Sequence, residues 1–579
     1  QFGTNFLYYK YAGTGENSHI PGGNLLGTYL VKNGDRVRLN PVFANSYQMD
    51  AGFNYNHSFG KHTISAVALY EQREQNAEGV NAESDGIVTG GLDYQTFTTG
   101  TQTSNQSSSV SQFGFEAFIS RLNYNYDGKY FLQLVYRADG SSRFTQGHNW
   151  GSFPAASVGW MISEEPWMKN VAWLNMLKVR ASVGLTGTDN TKPYQFQANY
   201  KLGTGSSGGA VFNNGSRSIG IQPNVAIPNV NVTWDHVTKT DYGVDMGMMN
   251  NRLTFSGDYF WSHGYDLLTT LTSSVPATIG AAVPTENHNI VNMFGVELQA
   301  GWRDIIGRKF TYSFTPFFSW SDNKNVLIDV ASGNVGGPLD LTGKSSDPGN
   351  YGWKSSGLIR TQADANAIIA SRSQAAGGNT KVTIFNTPVQ PGMINYVDQN
   401  NDGVIDDDDQ VYLTHKSSNH YSLGLNFSLG YDGLSLNVIA GMSWGGWTSI
   451  DGLKPFNQSS SSTGASIQDN RPVYWADHWT PDRTGARYPS PYFTGDYNVT
   501  SDFWLLPATT LNITSATLSY TIPTNLVGKV GMSSARAYVV ATNPFQFINP
   551  FPGHYRDMQT SLYTYPSLRT VSVGLNVGF

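Results

Sequence analysis

The chain has 579 residues, of which 13% are charged and 13% aromatic, with a formal net charge of −6 and no cysteine. The lack of cysteine excludes a disulfide framework and a thiolate metal site, and the slight negative charge argues against a nucleic-acid partner. Few charges beside many aromatic residues are unlike a typical soluble domain, in which about a quarter of the residues are charged.

Hydropathy gives no transmembrane helix, because no apolar run approaches the length needed and the mean hydropathy is −0.32. Residues Gln1–Tyr11 lack the basic start and apolar run of a signal peptide. Transmembrane β-strands escape such scans, since alternate residues face lipid and water. A membrane wall of strands is therefore compatible with this composition.

Alternation of apolar and polar residues with a period of two predicts antiparallel hairpins. Three are clear, with strands 122–126 and 130–136 around Asp127-Gly128, 242–248 and 253–261 around Asn250-Asn251, and 421–431 and 434–438 around Asp432-Gly433. Such dipeptides permit the positive φ of tight hairpin turns. The strand Tyr421–Tyr431 has a tyrosine at each end and a length suited to crossing a bilayer at a tilt, between two aromatic girdles.

Tight turns at one end of the predicted hairpins alternate with long polar connections at the other. The long connections are Asn76–Ser111, Gly203–Arg217, Asp329–Asn350 and Gln458–Gln468. Two stretches, Pro166–Asn175 and Thr361–Ala376, have helix-forming composition. Short turns opposite long loops are typical of outer-membrane barrels.

The C-terminal segment Val571–Phe579 is apolar at every odd position and ends on phenylalanine. This pattern marks Phe579 as the signal for outer-membrane assembly. The alternative, a soluble propeller or sandwich, lacks support because no blade-length repeat is present. We therefore predict an all-β antiparallel transmembrane barrel with about 14–16 strands in this chain and long extracellular loops.

An acidic segment has the spacing of an EF-hand-type calcium loop. Its predicted ligands, at loop positions 1, 3, 5, 7, 9 and 12, are Asp398, Asn400, Asp402, Val404, Asp406 and Asp409. Gly403 occupies the position of the sharp turn, and the closing residue is aspartate rather than glutamate. The alternative is a solvated acidic turn, in which the carboxylates repel one another. We expect a structural Ca²⁺ here that stiffens a loop.

No nucleophile, base or metal motif suggests catalysis, so an enzyme is not expected. Aromatic residues in the predicted loops are candidates for stacking on a sugar ring, namely Trp353, Trp444, Trp447, Tyr474, Trp475 and Trp479. The alternative for each is packing within a loop or membership of the interfacial girdle.

Several segments resemble the SusC family of TonB-dependent transporters of Bacteroidetes. They are, in the family's order, Arg137–Phe144, Trp150–Pro154, Ser157–Trp160, Trp173–Gly184, Tyr396–Asp406, Trp479–Pro481 and Ser501–Leu505. The acidic loop also recurs in that family. Two departures stand out: Leu506-Pro507 replaces a polar Arg-Asp pair, and the segment around His554–Asp557 replaces Asp-Pro-Glu.

The resemblance implies a barrel of about 22 strands with an N-terminal plug and a TonB box. Neither the plug nor the TonB box has a counterpart here, so residues 1–579 are expected to be the C-terminal barrel portion of a longer chain. The implied partners are a SusD-like surface lipoprotein, TonB–ExbB–ExbD through the missing part, outer-membrane lipid and the barrel assembly machinery.

The implied function is TonB-driven import of a bulky nutrient across the outer membrane, an oligosaccharide or a peptide. The alternative is a SusC-like barrel that serves as a scaffold in an envelope complex without transport.

Overall fold

The computed structural model describes residues 6–11, 25–31, 36–85, 102–203, 211–212, 216–217, 220–223, 226–378, 381–450, 476–490, 499–554 and 567–579. A single antiparallel sheet of 16 strands dominates it. These strands are Arg36–Leu39 (β1), Val42–Phe59 (β2), His62–Asp85 (β3), Gln102–Tyr126 (β4), Tyr130–Ser141 (β5), Trp150–Met161 (β6), Leu174–Thr186 (β7), His236–Met248 (β8), Leu253–Thr270 (β9), Thr285–Ile306 (β10), Phe310–Leu327 (β11), Tyr421–Tyr431 (β12), Leu434–Trp444 (β13), Thr510–Ile522 (β14), Ser534–Ile548 (β15) and Thr570–Gly578 (β16).

The sheet is a meander, in which each strand from β3 onwards pairs with the next one along the chain. Strands β1 and β2 both pair with β3 and follow it as one continuous stretch of chain. The pairing is interrupted at Pro41, which has no N–H to donate. The register continues through the break, since Leu39 lies opposite Ala82 and Val42 lies opposite Gly79. This order confirms the predicted antiparallel barrel wall and its strand number.

The predicted tight turns are confirmed. Asp432 and Gly433, both at positive φ, connect Tyr431 directly to its partner Leu434. Both residues must adopt this left-handed conformation in the type of turn that matches the twist of a hairpin. Glycine does so without steric cost, and aspartate tolerates it.

The outward face of the wall carries an apolar band between two aromatic girdles. Along β5 exposure alternates residue by residue from Tyr130 to Tyr136. At the end with short turns, the rings of Tyr126 and Tyr130 lie 6.3 Å apart, and Tyr130 lies 6.5 Å from Trp160. At the other end the ring of Phe118 contacts Tyr70 at 5.2 Å and Trp150 at 5.9 Å. Such girdles mark the two interfaces of a bilayer.

Strands β3 and β4 continue well beyond the upper girdle, with 24 and 25 residues against the roughly 9–11 that cross a bilayer. Past Tyr70 their outward positions become polar, from Gln72 onwards. The predicted loop Asn76–Ser111 is therefore wrong over much of its length, because β3 runs to Asp85 and β4 begins at Gln102. Backbone pairing persists there although the hydrophobic alternation has ended.

The helix predicted at Thr361–Ala376 is confirmed as Gln362–Ala375 (α1), with Thr361 and Asp364 forming a capping box. The helix predicted at Pro166–Asn175 is wrong. The chain there makes a 3-10 turn at Ile162–Glu164 followed by successive hydrogen-bonded turns. In a segment this short, held between two strands, too few helical hydrogen bonds can form to offset the unfavourable free energy of helix nucleation. No helix in the described part of the chain is long and apolar enough to cross a membrane.

Outside the 16-stranded sheet the described chain contains further short elements. The paired short strands are Phe6–Tyr11 with Leu25–Val31, Tyr200–Gly203 with Gly220–Pro223, Val211–Phe212 with Ser216–Arg217, Tyr351–Trp353 with Gln410–Tyr412, Ser355–Leu358 with Ile394–Tyr396, Thr383–Ile384 with Thr387–Pro388 and Val404–Ile405, and Trp447–Ser449 with Leu505–Pro507. The short helical turns are Ala277–Ile279, Asp407–Asp409, Asp502–Trp504, Thr524–Val527, Gly528–Val530 and Pro552–His554. The predicted loop Gln458–Gln468 lies outside the described residues.

Residues 351–412, 476–490 and 499–507, here called the loop module, share a hydrophobic core at the extracellular end. Its most buried members are Trp504, Tyr396, Ile359, Ile384, Met393, Ile394 and Ile405. Helix α1 packs on this core through Ala365, Ile368 and Ile369. The β11–β12 and β13–β14 connections therefore fold together as one unit with a common core.

Candidate functional site

The inner face of the wall carries an ion cluster centred on Arg180 of β7. Its guanidinium reaches Asp241 at 3.1 Å and Asp245 at 3.1 Å on β8, and Asp258 at 2.5 Å on β9. Gly243 makes room for it, because a Cβ there would lie 2.4 Å from the Arg180 Cζ. Three strands are thereby joined through charges that face the lumen.

A polar concavity of about 500 Å³ adjoins this cluster on the inner wall. Its polar lining side chains include Thr63, Ser65, Asn123, Asn125, Gln133, Ser157, Lys178, Arg180, Ser182 and Asp241. Hydroxyl, amide and charged groups hydrate readily and bind polar solutes. The inner face therefore suits water and hydrophilic ligands, in contrast to the apolar outer band.

A second cavity of about 670 Å³ lies near the extracellular ends of β3 to β6. Its lining combines amides, carboxylates and aromatic rings: Gln72, Glu74, Asn76, Gln112, Phe113, Phe115, Glu116, Gln146, Asn149, Trp150 and Tyr194. Two of the rings already face cations, since Arg143 lies 5.1 Å from Phe113 and Arg137 lies 5.6 Å from Phe115. Amide groups beside aromatic rings offer hydrogen bonds and stacking faces to a polar ligand.

The six residues of the predicted calcium loop lie on one curled segment of the loop module. The Oδ2 of Asp398 accepts from the Gly403 N–H at 2.9 Å, and Gly403 has φ +87. Asn400 and Asp402 make similar turns, accepting from the N–H groups of Asp402 at 3.0 Å and Val404 at 2.8 Å. Asp406 accepts from the Asp408 N–H at 3.0 Å. The curl is therefore held by side-chain-to-backbone hydrogen bonds.

The fit of a cation to this loop rests on the buried carboxylates at its two ends. Asp409 is fully buried, and its oxygens accept from the N–H groups of Gln399 at 2.7 Å and Asp406 at 3.0 Å. The Oδ1 of Asp398 is buried and has no hydrogen-bond partner. An unpaired buried carboxylate oxygen is costly and is the kind of donor that Ca²⁺ takes. Among the described residues, however, no three acidic or histidine side chains converge at ligand distance.

Helix α1 places a buried arginine behind this loop. Arg372 donates to the Tyr396 carbonyl and, at 2.8 Å, to the Asn395 Oδ1. Burial lowers the pKa of Arg372, and the charges of Asp398 and Asp409 oppose that shift. Burial raises the pKa of Asp409, as does the charge of Asp398, against the hydrogen bonds that it accepts. The loop and helix α1 are thus electrostatically coupled.

The predicted sugar-stacking residues occupy different environments. Trp353 is buried and its Nε1 donates to the Asp406 carbonyl at 2.7 Å, so it joins the module core to the acidic loop. The Nε1 of Trp479 donates to the Arg360 carbonyl at 3.0 Å. Trp444 stacks on Tyr421 at 5.6 Å at the top of the wall.

Trp447 is 38% exposed and lies on a short strand beside Leu505–Pro507. Tyr474 and Trp475 lie outside the described residues. Phe579 follows β16 and is almost fully exposed. A ligand contact for the tryptophans and an assembly role for Phe579 stay predictions.

A polar cluster that sequence reasoning missed closes the base of the β11–β12 connection, and we call it the stem cluster. Its members are Asp322, Ser345, Asp347, Lys416, Ser417 and His420. Lys416 donates to Asp322 at 2.6 Å, and Asp347 accepts from the Ser417 N–H and hydroxyl, both at 2.7 Å. Burial would raise the pKa of Asp347, but these bonds and those from Ser418 and His420 hold it well below its usual range.

The stem cluster and the Arg180 cluster share one reason for being missed. Their members are far apart in sequence. In the Arg180 cluster they meet through strand register, with Gly243 opposite both Arg180 and Asp258, and in the stem cluster through two loop segments that return to the same place. The one available signal was the alternation of Lys178 and Arg180 with Val179 and Ala181, which places two cations on the inner face.

An apolar outer band between aromatic girdles, a polar inner face, short turns at one end and a folded loop module at the other define the wall of an outer-membrane β-barrel. Residues 1–346 match the family model described as "TonB dependent receptor-like, beta-barrel". The chain belongs to this family of TonB-dependent receptor barrels.

The relatives agree with this assignment. The chain is 25% identical to "TonB-dependent receptor P3" of Formosa agariphila, over 91% of this chain and 51% of the relative. It is 24% identical to "TonB-dependent receptor SusC" of Bacteroides thetaiotaomicron, over 80% of this chain and 43% of the relative. The chain thus spans about half the length of the curated relatives it matches.

Among solved structures, the wall resembles that of the "RagAB peptide importer in the 'open-open' state". The TM-score is 0.67 at 18% identity, covering 89% of this chain and 52% of that one. At this identity the match shows the fold alone, which is that of a SusC-like outer-membrane barrel.

Proposed function

We propose that the protein imports a bulky, polar nutrient across the outer membrane, driven by TonB and assisted by a SusD-like surface lipoprotein. The polar inner face around Arg180 carries this proposal, because a wall that is apolar outside and hydrophilic inside encloses a route for hydrophilic solutes. Membership of the receptor family and similarity to SusC support it. TonB–ExbB–ExbD would supply the energy for transport.

An oligosaccharide is the substrate class that we favour, with a peptide as the second candidate. The cavity at the top of β3 to β6 lies beyond the upper girdle, includes the outward positions Gln72, Glu74 and Asn76, and is separate from the inner face around Arg180. Its amides and aromatic rings provide hydrogen bonds to hydroxyl groups and faces for sugar rings. The peptide candidate is supported by the resemblance of the wall to the RagAB peptide importer.

The test is uptake by cells that lack the gene and cells that carry it back. Labelled oligosaccharides and peptides are offered in parallel, with and without a protonophore, because TonB-driven import needs the proton-motive force. We expect accumulation of one class to fall to background in the deletion strain and in energy-depleted cells. Co-purification of a lipoprotein with the tagged receptor tests the partner.

The alternative is a scaffold role in an envelope complex. It predicts unchanged uptake of both substrate classes in the deletion strain, together with loss of an assembled surface complex. That pair of results would reject the import proposal.

We also propose that the acidic loop binds one structural Ca²⁺ through Asp398, Asn400, Asp402, the Val404 carbonyl, Asp406 and Asp409. When bound, the ion would supply the positive charge that the carboxylates lack, and the orphaned Asp398 oxygen would gain a partner. The ion would stiffen the loop module and take no part in chemistry.

Calcium is expected to slow amide exchange across residues 398–409 by about tenfold or more, since a ligand in excess stabilises the state it binds. Exchange is measured with Ca²⁺ or with EGTA, in the wild type and in Asp402→Ala. The variant should show no further change on adding EGTA. Asp407→Asn is the matched control, because Asp407 lies in the same loop at a position that is not a predicted ligand. A wild-type loop that exchanges identically in Ca²⁺ and EGTA would reject the site.

A further inference from the structure

The inference concerns His420, whose two ring nitrogens both face hydrogen-bond acceptors. Nδ1 lies 2.7 Å from the carbonyl oxygen of Ser321, and Nε2 lies 3.0 Å from the Oδ2 of Asp347. A carbonyl oxygen only accepts. The Asp347 carboxylate accepts from the N–H groups of Ser417 and Ser418 and is ionised. Both nitrogens must therefore donate, which only the protonated imidazolium ring does.

The charges around the ring balance only when His420 is protonated. Asp347 lies on one side, and the Oδ1 of Asp322 lies 3.9 Å from Nδ1. The Lys416 ammonium binds Asp322 at 2.6 Å and the Asp347 carbonyl at 3.1 Å. Two cations thus face two anions. Loss of the proton from His420 removes one hydrogen bond and leaves the cluster with one uncompensated negative charge.

The stem cluster joins three stretches of the chain. Asp322 belongs to β11, Asp347 to the chain that leaves the wall, and Lys416 and His420 to the chain that returns to β12. Beyond this base lie the acidic loop and the core of the loop module. His420 therefore stands where the module is fastened to the barrel rim.

We propose that His420 is a proton-dependent latch that fastens the stem of the loop module when its ring is charged and loosens it when the ring is neutral. Histidine is the side chain whose charge changes between about pH 5 and 8. The latch is closed on the acidic side of this range and is lost as the pH rises. At low pH the latch persists until Asp347 becomes protonated. Because the pKa of Asp347 is held low, this happens only under strongly acidic conditions.

The test is amide exchange of the stem peptides around residues 345–350 and 416–420 in the full-length protein, from pH 5.5 to 8.5. Wild type is compared with His420→Gln at each pH, so that the intrinsic pH dependence of exchange cancels in the ratio. At pH 5.5 the wild type should exchange roughly tenfold more slowly, the effect of one hydrogen bond to a charged group. Near pH 8.5 the ratio should approach one. A ratio that stays constant across the range overturns the proposal.

The matched control is His415→Gln, because His415 lies on the same returning chain but is exposed. Its exchange should follow the wild type at every pH, and a pH course equal to that of His420→Gln would overturn the assignment. If His420→Gln fails to fold, exchange of the ring C2 hydrogen in the wild type gives the titration midpoint of His420 directly. That midpoint must coincide with the loosening of the stem, and two separate midpoints would overturn the latch.

Discussion

Replacing Arg180 with methionine is expected to destabilise the barrel by about 2–4 kcal/mol. The change leaves Asp241, Asp245 and Asp258 facing one another without a cation, and removing one partner of a buried ion pair costs about 3–5 kcal/mol. The side chains are a fifth to a third exposed, which lowers the figure through solvent screening. Thermal unfolding of the purified protein in detergent measures the effect.

A charge-compensated variant separates this electrostatic cause from lost packing. Arg180→Met combined with Asp241→Asn and Asp258→Asn removes two of the three unpaired charges while keeping side-chain size. It should recover most of the lost stability, since apolar or neutral replacement of a whole buried ion cluster is often close to neutral. If the triple variant is as unstable as the single one, the carboxylates are not the cause.

Replacing Trp504 with alanine is expected to destabilise the loop module by about 3–5 kcal/mol and to leave the barrel wall folded. Trp504 is 1% exposed, stacks on Tyr488 at 6.3 Å and meets Phe503 edge-on at 4.8 Å. Its loss empties the centre of the module core. Amide exchange resolves the two regions, with faster exchange over residues 383–405 and unchanged exchange in β12 and β13.

Trp167→Ala is the matched control for this prediction. Trp167 is 61% exposed at the opposite, short-turn end of the barrel, so its loss should change stability by no more than about 0.5 kcal/mol. Equal effects of the two substitutions, or loss of the wall in Trp504→Ala, would show that the module has no core of its own.

The membrane-crossing part of the wall was predictable because its signal is local. In Tyr421–Tyr431 each odd residue is apolar or aromatic, so the strand can be recognised without knowledge of its partners. Above the girdle this signal disappears. In β3 the outward positions after Tyr70 are Gln72, Glu74 and Asn76, and strand and polar loop then look alike in sequence although the ladder continues.

Of the candidate site, local features could be predicted and contacts between distant segments could not. The helix at Thr361 begins with a capping box that is visible in four residues. The spacing of the acidic loop is likewise visible within one segment of the sequence. Its role as a calcium site remains a prediction. By contrast, Asp347 and His420 meet across 73 positions of sequence, a distance over which hydrophobic pattern carries no information.

The length of β4 has a consequence for the shape of the barrel rim. At about 3.3 Å per residue its 25 residues extend roughly 80 Å, while the lipid-facing stretch between the girdles uses little more than a third of that. Its neighbours β5 and β6 have 12 residues each, so the β3–β4 hairpin projects well beyond them on the extracellular side. The rim of the wall is therefore uneven, and its highest part is an extended polar hairpin that stands clear of the lipid.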